Sequence, residues 1–201
     1  MDTDRNAEFL EEIKKKLQPK RFYHSLNVAE EAKKLALHYG ADEKKAYTAG
    51  LLHDIMKNEP KDSMLNFMQD HGETLTDVEL ANDKIWHAMA GTLYCRDVLK
   101  VEDEEILSAI RWHTTAKRHM SLLDKIVFTA DFISAERNYP GVDEMRHLAY
   151  ESLESAMIMG LQFTLNKRIQ EGFPVSEESL FAYNTLVMER KEEAECNQKN
   201  S

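Results

Sequence analysis

Asp42-Glu-Lys-Lys-Ala-Tyr-Thr-Ala-Gly-Leu-Leu-His53-Asp54 is the stretch on which the reading of this chain turns. Asp42 is a natural N-cap, because its short carboxylate takes up the free amides of a first helical turn. The apolar run Ala49-Gly-Leu-Leu52 follows, so a helix is predicted from Asp42 up to His53. The two polar residues at its end are the anomaly. A carboxylate directly behind a leucine-rich turn is costly to bury unless it is paired or bound to a metal.

Working outward, helical periodicity predicts a helix over residues 20–39, closed by Gly40, and an earlier one over 3–17 that stops before Pro19. On the other side come a short helix over 61–70, ending at His71-Gly72, and helices over 83–99 and 103–113. Ser121-Leu-Leu-Asp124 has the capping-box spacing and opens another, which ends before Pro140-Gly141. One long helix is predicted over 143–171, stopped by Gly172 and Pro174, and a last one over 176–193. No segment alternates apolar and polar residues for more than about five positions. Seven glycines and four prolines are few for 201 residues, which argues against a many-stranded fold rich in turns. An all-α fold is expected: one compact helical domain over 1–195, with C-terminal helices over 143–193 and a frayed tail over 196–201.

The formal net charge is −10, so duplex nucleic acid and anionic membranes are poor partners, since both need a broad basic face. A small anionic ligand needs only a local cluster of Lys and Arg. Cys95 and Cys196 form no CxxC pair, which suits a reducing compartment. Met1-Asp-Thr-Asp4 opens no signal peptide and no apolar run approaches a membrane span, so a cytoplasmic protein is expected. Oligomeric state stays open, and a homodimer is compatible with the sequence.

Six polar residues share the awkward setting of the opening stretch. His24 lies in Arg21-Phe-Tyr-His24-Ser25, level with Val28 and Leu35 on an amphipathic helix. His53 and Asp54 follow the leucines. His87 sits in Ile85-Trp-His87-Ala, with Gly91 one turn later leaving room beside it, and His113 ends Ile110-Arg-Trp-His113. Asp131 interrupts Ile126-Val-Phe-Thr-Ala-Asp131-Phe-Ile133. A lone histidine on an apolar helix face is usually a hydrogen-bonded core residue. Four histidines and two aspartates so placed resolve one another's cost if they converge on metal. Imidazole and carboxylate without thiolate suit Fe, Mn, Co or Zn rather than Ca, and six side chains exceed what one tetrahedral zinc needs. Two ions bridged by one carboxylate fit the count, and Asp54 is the chosen bridge. His38, His71 and His147 have ordinary helix-end or surface settings, and His119, in Lys117-Arg118-His119, sits in a basic loop.

These residues resemble the signature of the HD-domain superfamily of metal-dependent phosphohydrolases, and within it the YqeK-like branch, the symmetrical diadenosine tetraphosphate hydrolases. The motifs that carry the resemblance are Arg21-x-x-His24-Ser25, Leu52-His53-Asp54-x-x-Lys57, His87-x-x-x-Gly91, Arg111-Trp-His113-Thr-Thr115, Leu123-Asp-Lys-Ile126, Ala130-Asp131-Phe-Ile133 and Arg137-x-x-Pro140-Gly-Val142. They cover about residues 20–145, the expected metal-site core of an HD-type domain. The resemblance implies that His24, His53, Asp54 and Asp131 hold one ion and Asp54, His87 and His113 the other. Iron is the implied metal, with Mn or Co as alternatives. It also implies that Arg21, Lys57, Lys117 and Arg137 face a small nucleotide and its phosphates, bordered by His113 and Asp131 of the metal set. Two positions depart from the family pattern: Ser134-Ala135 stands where Glu-Pro is usual, and Ala116-Lys117-Arg118 where Gly-Arg is usual. The second leaves open whether Lys117 or Arg118 grips phosphate.

The implied reaction is metal-dependent hydrolysis of diadenosine tetraphosphate into two ADP, with metal-bound hydroxide attacking phosphorus and the catalytic work falling on His53, Asp54 and Lys57. Arg21 and His24 share a helix face at i, i+3, so a cation beside a ligand is geometrically reasonable. Without the motif, Lys57 reads equally as a solvated loop lysine and Arg137 as a surface arginine paired with Glu136. Another HD-type reaction on a nucleoside monophosphate or cyclic dinucleotide is the first alternative. A di-iron oxygenase and a non-catalytic nucleotide-binding module are the others.

Overall fold

A computed structural model describes residues 5–199. Among them are eleven helices and no strand. α1 (Arg5–Lys16), α2 (Pro19–Tyr39), α3 (Glu43–Leu52) and α4 (Lys61–Asp70) lead into a one-turn α5 (Asp77–Leu80). α6 (Trp86–Asp97), α7 (Glu104–Trp112) and α8 (Leu122–Ile133) follow. α9 (Val142–Glu151), α10 (Leu153–Gln170) and α11 (Glu177–Lys199) complete the series. The all-α expectation holds.

The caps explain most boundaries. Asp42 accepts from the amides of Lys44 and Lys45 at 2.9 and 3.0 Å and opens α3. Gly40 takes φ +72° and ends α2, a conformation glycine adopts without strain. Ser121 and Asp124 close a reciprocal capping box at the start of α8.

The differences from expectation also have local causes. The long helix over 143–171 is two helices, because Ser152 is extended (φ −157°) and its hydroxyl accepts from Ser155 N at 3.2 Å. A serine that caps a new helix competes with continuing the old one. α5 has no counterpart in the sequence expectation because four residues give no periodicity, although the Thr76–Glu79 capping box marks it. α6 starts at Trp86, α8 ends at Ile133 well before Pro140, and α11 runs to Lys199 through residues expected to fray. That last stretch is rich in Glu, Lys and Ala, all good helix formers. Positions 1–4 and 200–201, where the start of the domain and the end of the tail are expected, lie outside the described residues.

α2 runs through the middle, with α3 against one flank and α8 against another, while α7 touches α3, α6 and α8. Small residues set the closest approach. A Cβ on Gly50 of α3 would stand 2.8 Å from Ala29 Cα of α2. Around that crossing Leu35, Leu51, Leu52, Ile55, Ile110 and Ile126 are fully buried. A second apolar cluster, with Phe128, Met157 and Leu161 packed on Ala182 and Leu186, fastens the α10–α11 hairpin to α8. No helix among the described residues is long and apolar enough to cross a membrane.

Candidate metal centre

The six predicted ligands arrive from five places in the fold. His24 comes from the first half of α2, His87 from the first turn of α6, and Asp131 from the last turn of α8. His53 and His113 each sit one residue past a helix end, capping α3 and α7. Both use the same device. A helix leaves its last carbonyls unsatisfied, and His53 Nδ1 donates to Gly50 O at 2.7 Å while His113 Nδ1 donates to Ile110 O at 2.7 Å. Their protons are thereby spent, and each Nε2 carries a lone pair into the interior.

The structure brings all six together. Asp54 is central and 2% exposed. Its Oδ2 lies 3.4 Å from His53 Nε2 and 3.7 Å from His24 Nε2. Its Oδ1 lies 3.1 Å from His87 Nε2 and 3.7 Å from His113 Nε2. Asp131 Oδ1 stands 3.0 Å from His24 Nε2 and 3.9 Å from His53 Nε2. The imidazole nitrogens crowd as well, with His53 and His24 Nε2 at 3.3 Å and His87 and His113 Nε2 at 3.1 Å. His24, His53 and Asp131 form one group spaced to hold a cation, and His53, Asp54 and His113 another.

Charge states suit ligation. Burial alone would raise the Asp54 carboxyl, but the charges of His53 and Lys57 hold it well below the usual carboxylate range. Asp131 is likewise depressed against its burial by the His24 hydrogen bond and Arg137. Burial lowers His53, and burial with the Lys57 charge lowers His87 to about 3, so both rings are neutral. His24 is the exception: its hydrogen bonds to Asp131 and Glu136 outweigh burial and raise it. Two ionised carboxylates and the lone pairs of neutral imidazoles converge on one buried region. That donor set fits divalent metal.

Three predicted phosphate contacts ring the same carboxylates. Arg21 Nη1 donates to Asp54 Oδ2 at 2.6 Å. Lys57 Nζ lies 3.0 Å from His87 Nε2 and 3.8 Å from Asp54 Oδ1, with burial pulling its pKa down. Arg137 bonds the Asp131 side chain directly and its backbone oxygen at 2.7 Å. Its partner is therefore Asp131 and not Glu136, correcting the surface-arginine reading. Lys117 is not brought to this cluster. Its ammonium donates to Ser108 Oγ at 2.8 Å and lies 3.3 Å from Asp124, a fully buried carboxylate in need of a counter-charge. Arg118 covers the Phe181 ring instead. The loop's departure from the family pattern falls on Ala116, which holds φ +57°, a left-handed position that glycine takes more easily.

Two neighbours escaped the sequence reading. Thr114 Oγ1 lies 3.0 Å from His113 Nε2 and 3.3 Å from His87 Nε2. Glu136 bonds His24 Nδ1 and is held by Asn27 and Ser134. Asn27 follows His24 by three residues on α2, the one sequence signal that it shares the ring's face.

The HD domain model matches residues 21–136, more than half of the chain. This chain belongs to the HD-domain family. Among similar proteins, one from Halalkalibacterium halodurans named bis(5'-nucleosyl)-tetraphosphatase, symmetrical, is 37% identical over 90% of this chain and 97% of its own length. A Bacillus subtilis protein of the same name is 36% identical, over 87% of this chain and 94% of its own. A crystal structure from Clostridium acetobutylicum, described as a predicted HD superfamily hydrolase involved in NAD metabolism, matches with a TM-score of 0.89 at 34% identity. It covers 92% of this chain and 97% of its own. The HD domain is a hydrolase domain, and divalent-metal dependence goes with it.

Proposed function

We propose that this HD-domain protein hydrolyses diadenosine tetraphosphate symmetrically into two ADP. The name shared by relatives 36–38% identical supports the reaction. The observation that carries it to this chain is the ring of Arg21, Lys57 and Arg137 around the two carboxylates of the histidine cluster. Three cations paired to the carboxylates of the cluster suit a polyphosphate better than an oxygenase or a purely structural metal site.

Two ions would be held, by His24, His53, Asp131 and one oxygen of Asp54 on one side, and by the other Asp54 oxygen, His87 and His113 on the other. Iron is the proposed metal, with Mn or Co able to replace it. Such a pair supplies nucleophilic water near neutral pH and offsets charge building at phosphorus. The chain's own residues do the rest. Arg21 and Arg137 present planar forks that match phosphate oxygens, and Lys57 presents a point charge one turn past Asp54. All three are ion-paired with Asp54 or Asp131, so an entering polyphosphate exchanges partners with groups already in position. Adding one water across the central anhydride breaks one P–O bond and releases two equal halves. Cytoplasmic placement belongs to the same proposal, since the substrate is a soluble nucleotide.

Purified protein loaded with Fe(II) and given this substrate is expected to yield ADP alone, resolved by anion-exchange chromatography. AMP with ATP would overturn the symmetrical assignment. Turnover of a nucleoside monophosphate or cyclic dinucleotide, with none of the tetraphosphate, would favour another HD-type reaction.

A further inference from the structure

We infer that Glu136 is a positioning residue which, through His24, strengthens the ion on the His24–Asp131 side and makes the two halves of the centre unequal. The inference rests on the dinuclear reading above and adds to it. Glu136 is gripped from three directions. One oxygen bonds His24 Nδ1 and accepts from Ser134 Oγ at 2.8 Å, and the other accepts from Asn27 Nδ2 at 2.7 Å. Such a carboxylate is aimed, not swinging freely in solvent.

What stands behind each imidazole differs. His53 and His113 are backed by neutral backbone carbonyls, Gly50 O and Ile110 O. Among the described residues His87 has no carboxylate partner behind it but the Lys57 ammonium alongside its ring, 3.3 Å from Nδ1 and 3.0 Å from Nε2. His24 is the ring among the four that the structure backs with a carboxylate. A carboxylate behind an imidazole fixes the ring and makes its other nitrogen a stronger donor to metal. A cation does the reverse. The carboxylates in front add to the contrast, since the His24 side has Asp131 and one oxygen of Asp54, whereas the His87 side has only the other Asp54 oxygen. Cations pair with carboxylates on both sides, Arg21 and Arg137 on one and Lys57 on the other, so the contrast that remains is the additional carboxylate Asp131 and Glu136 behind His24; the His24 side fills first and Glu136 sets how tightly.

The test is metal titration, independent of turnover. Metal-stripped wild type, Glu136→Gln and Glu136→Ala are titrated with Co(II), following heat and the cobalt absorption bands. Glutamine keeps the size and hydrogen-bonding reach while removing the charge. Wild type is expected to bind in two unequal steps. Both variants should weaken the tighter step by roughly 10–100-fold and shift the first ion's spectrum, leaving the weaker step alone. Wild-type binding and spectra in both variants would overturn the inference. So would a loss confined to Glu136→Ala, which marks a packing role. If wild type takes up no cobalt, the metal reading falls first and this inference with it.

Discussion

Gly50→Ala should push two helices apart at the point that sets the metal centre. An alanine Cβ there would stand 2.8 Å from Ala29 Cα, 3.0 Å from Ala29 N and 3.1 Å from Val28 O. All three are backbone atoms of α2, so no side chain can rotate away. Restoring ordinary van der Waals contact, which begins at 3.4 Å, requires α3 to retreat by about 0.6 Å. Overpacking of this kind costs about 3 kcal/mol at the upper end of its range. Alanine's better helix propensity returns about 1 kcal/mol. The net loss of about 2 kcal/mol corresponds to a Tm lower by roughly 4–8 °C for a chain of this size. Function should suffer beyond stability, because His53 sits one turn after Gly50 and bonds its carbonyl. The matched control is Gly91→Ala, whose Cβ would meet nothing nearer than 3.6 Å and should leave Tm unchanged or raise it. Scanning calorimetry and cobalt titration of both variants decide the matter. Gly50→Ala as stable as wild type, or a Gly91→Ala loss of equal size, would refute the close-approach argument.

Asp54→Ala removes the carboxylate that faces both pairs of histidines, and both metal content by elemental analysis and turnover should vanish; retained turnover would refute its bridging role. Lys57→Met should lower kcat about 10²-fold, as for loss of one charge-stabilising donor, while metal uptake persists; lost metal would make Lys57 structural instead. Glu136 is held at about 2, where burial would raise it and the His24 hydrogen bond prevails. Its folded pKa is thus below its unfolded value of about 4.3, so its stabilisation is present above that pH and fades as pH falls toward 2. Urea midpoints should therefore drop less steeply between pH 5 and pH 3 in Glu136→Gln than in wild type, and equal slopes would refute the assignment. Ser152→Ala deletes the cap of α10 and should cost about 1 kcal/mol, or roughly 2–4 °C in Tm. No change in Tm would mean that packing alone, and not the hydroxyl, separates α9 from α10.

Legibility of the sequence followed the range of the interactions. Asp42, Gly40 and the Ser121–Asp124 pair are local devices, and each placed its boundary. The six converging residues were legible because each polar group was out of place in its own apolar segment. Ser152 was not, since a serine inside an amphipathic run looks harmless until its hydroxyl is seen to cap the next helix. The family resemblance sets Lys117 toward phosphate, and only the fold shows its pairing with buried Asp124. Glu136 lies 112 residues from His24, beyond any spacing argument.

How a chain of net charge −10 binds a polyanion is answered by where its charges are. Three carboxylates stand in or against the centre, Asp54, Asp131 and Glu136, and three cations, Arg21, Lys57 and Arg137, accompany them. They cancel formally, so without metal the cluster has no net positive charge to offer the substrate. Two divalent ions held as proposed would add about four positive charges, roughly the number of ionised phosphates in the substrate. Affinity for the tetraphosphate should then depend on metal occupancy far more than on the chain's overall charge. It should also fall less with added salt than that of a basic surface patch, because ions held by the buried His53, Asp54, His87 and His113 would be poorly screened. Equilibrium dialysis with a non-hydrolysable tetraphosphate analogue, at low and high salt, with and without metal, tests this. Tight, salt-sensitive binding by metal-free protein would place the attraction on the surface and refute it.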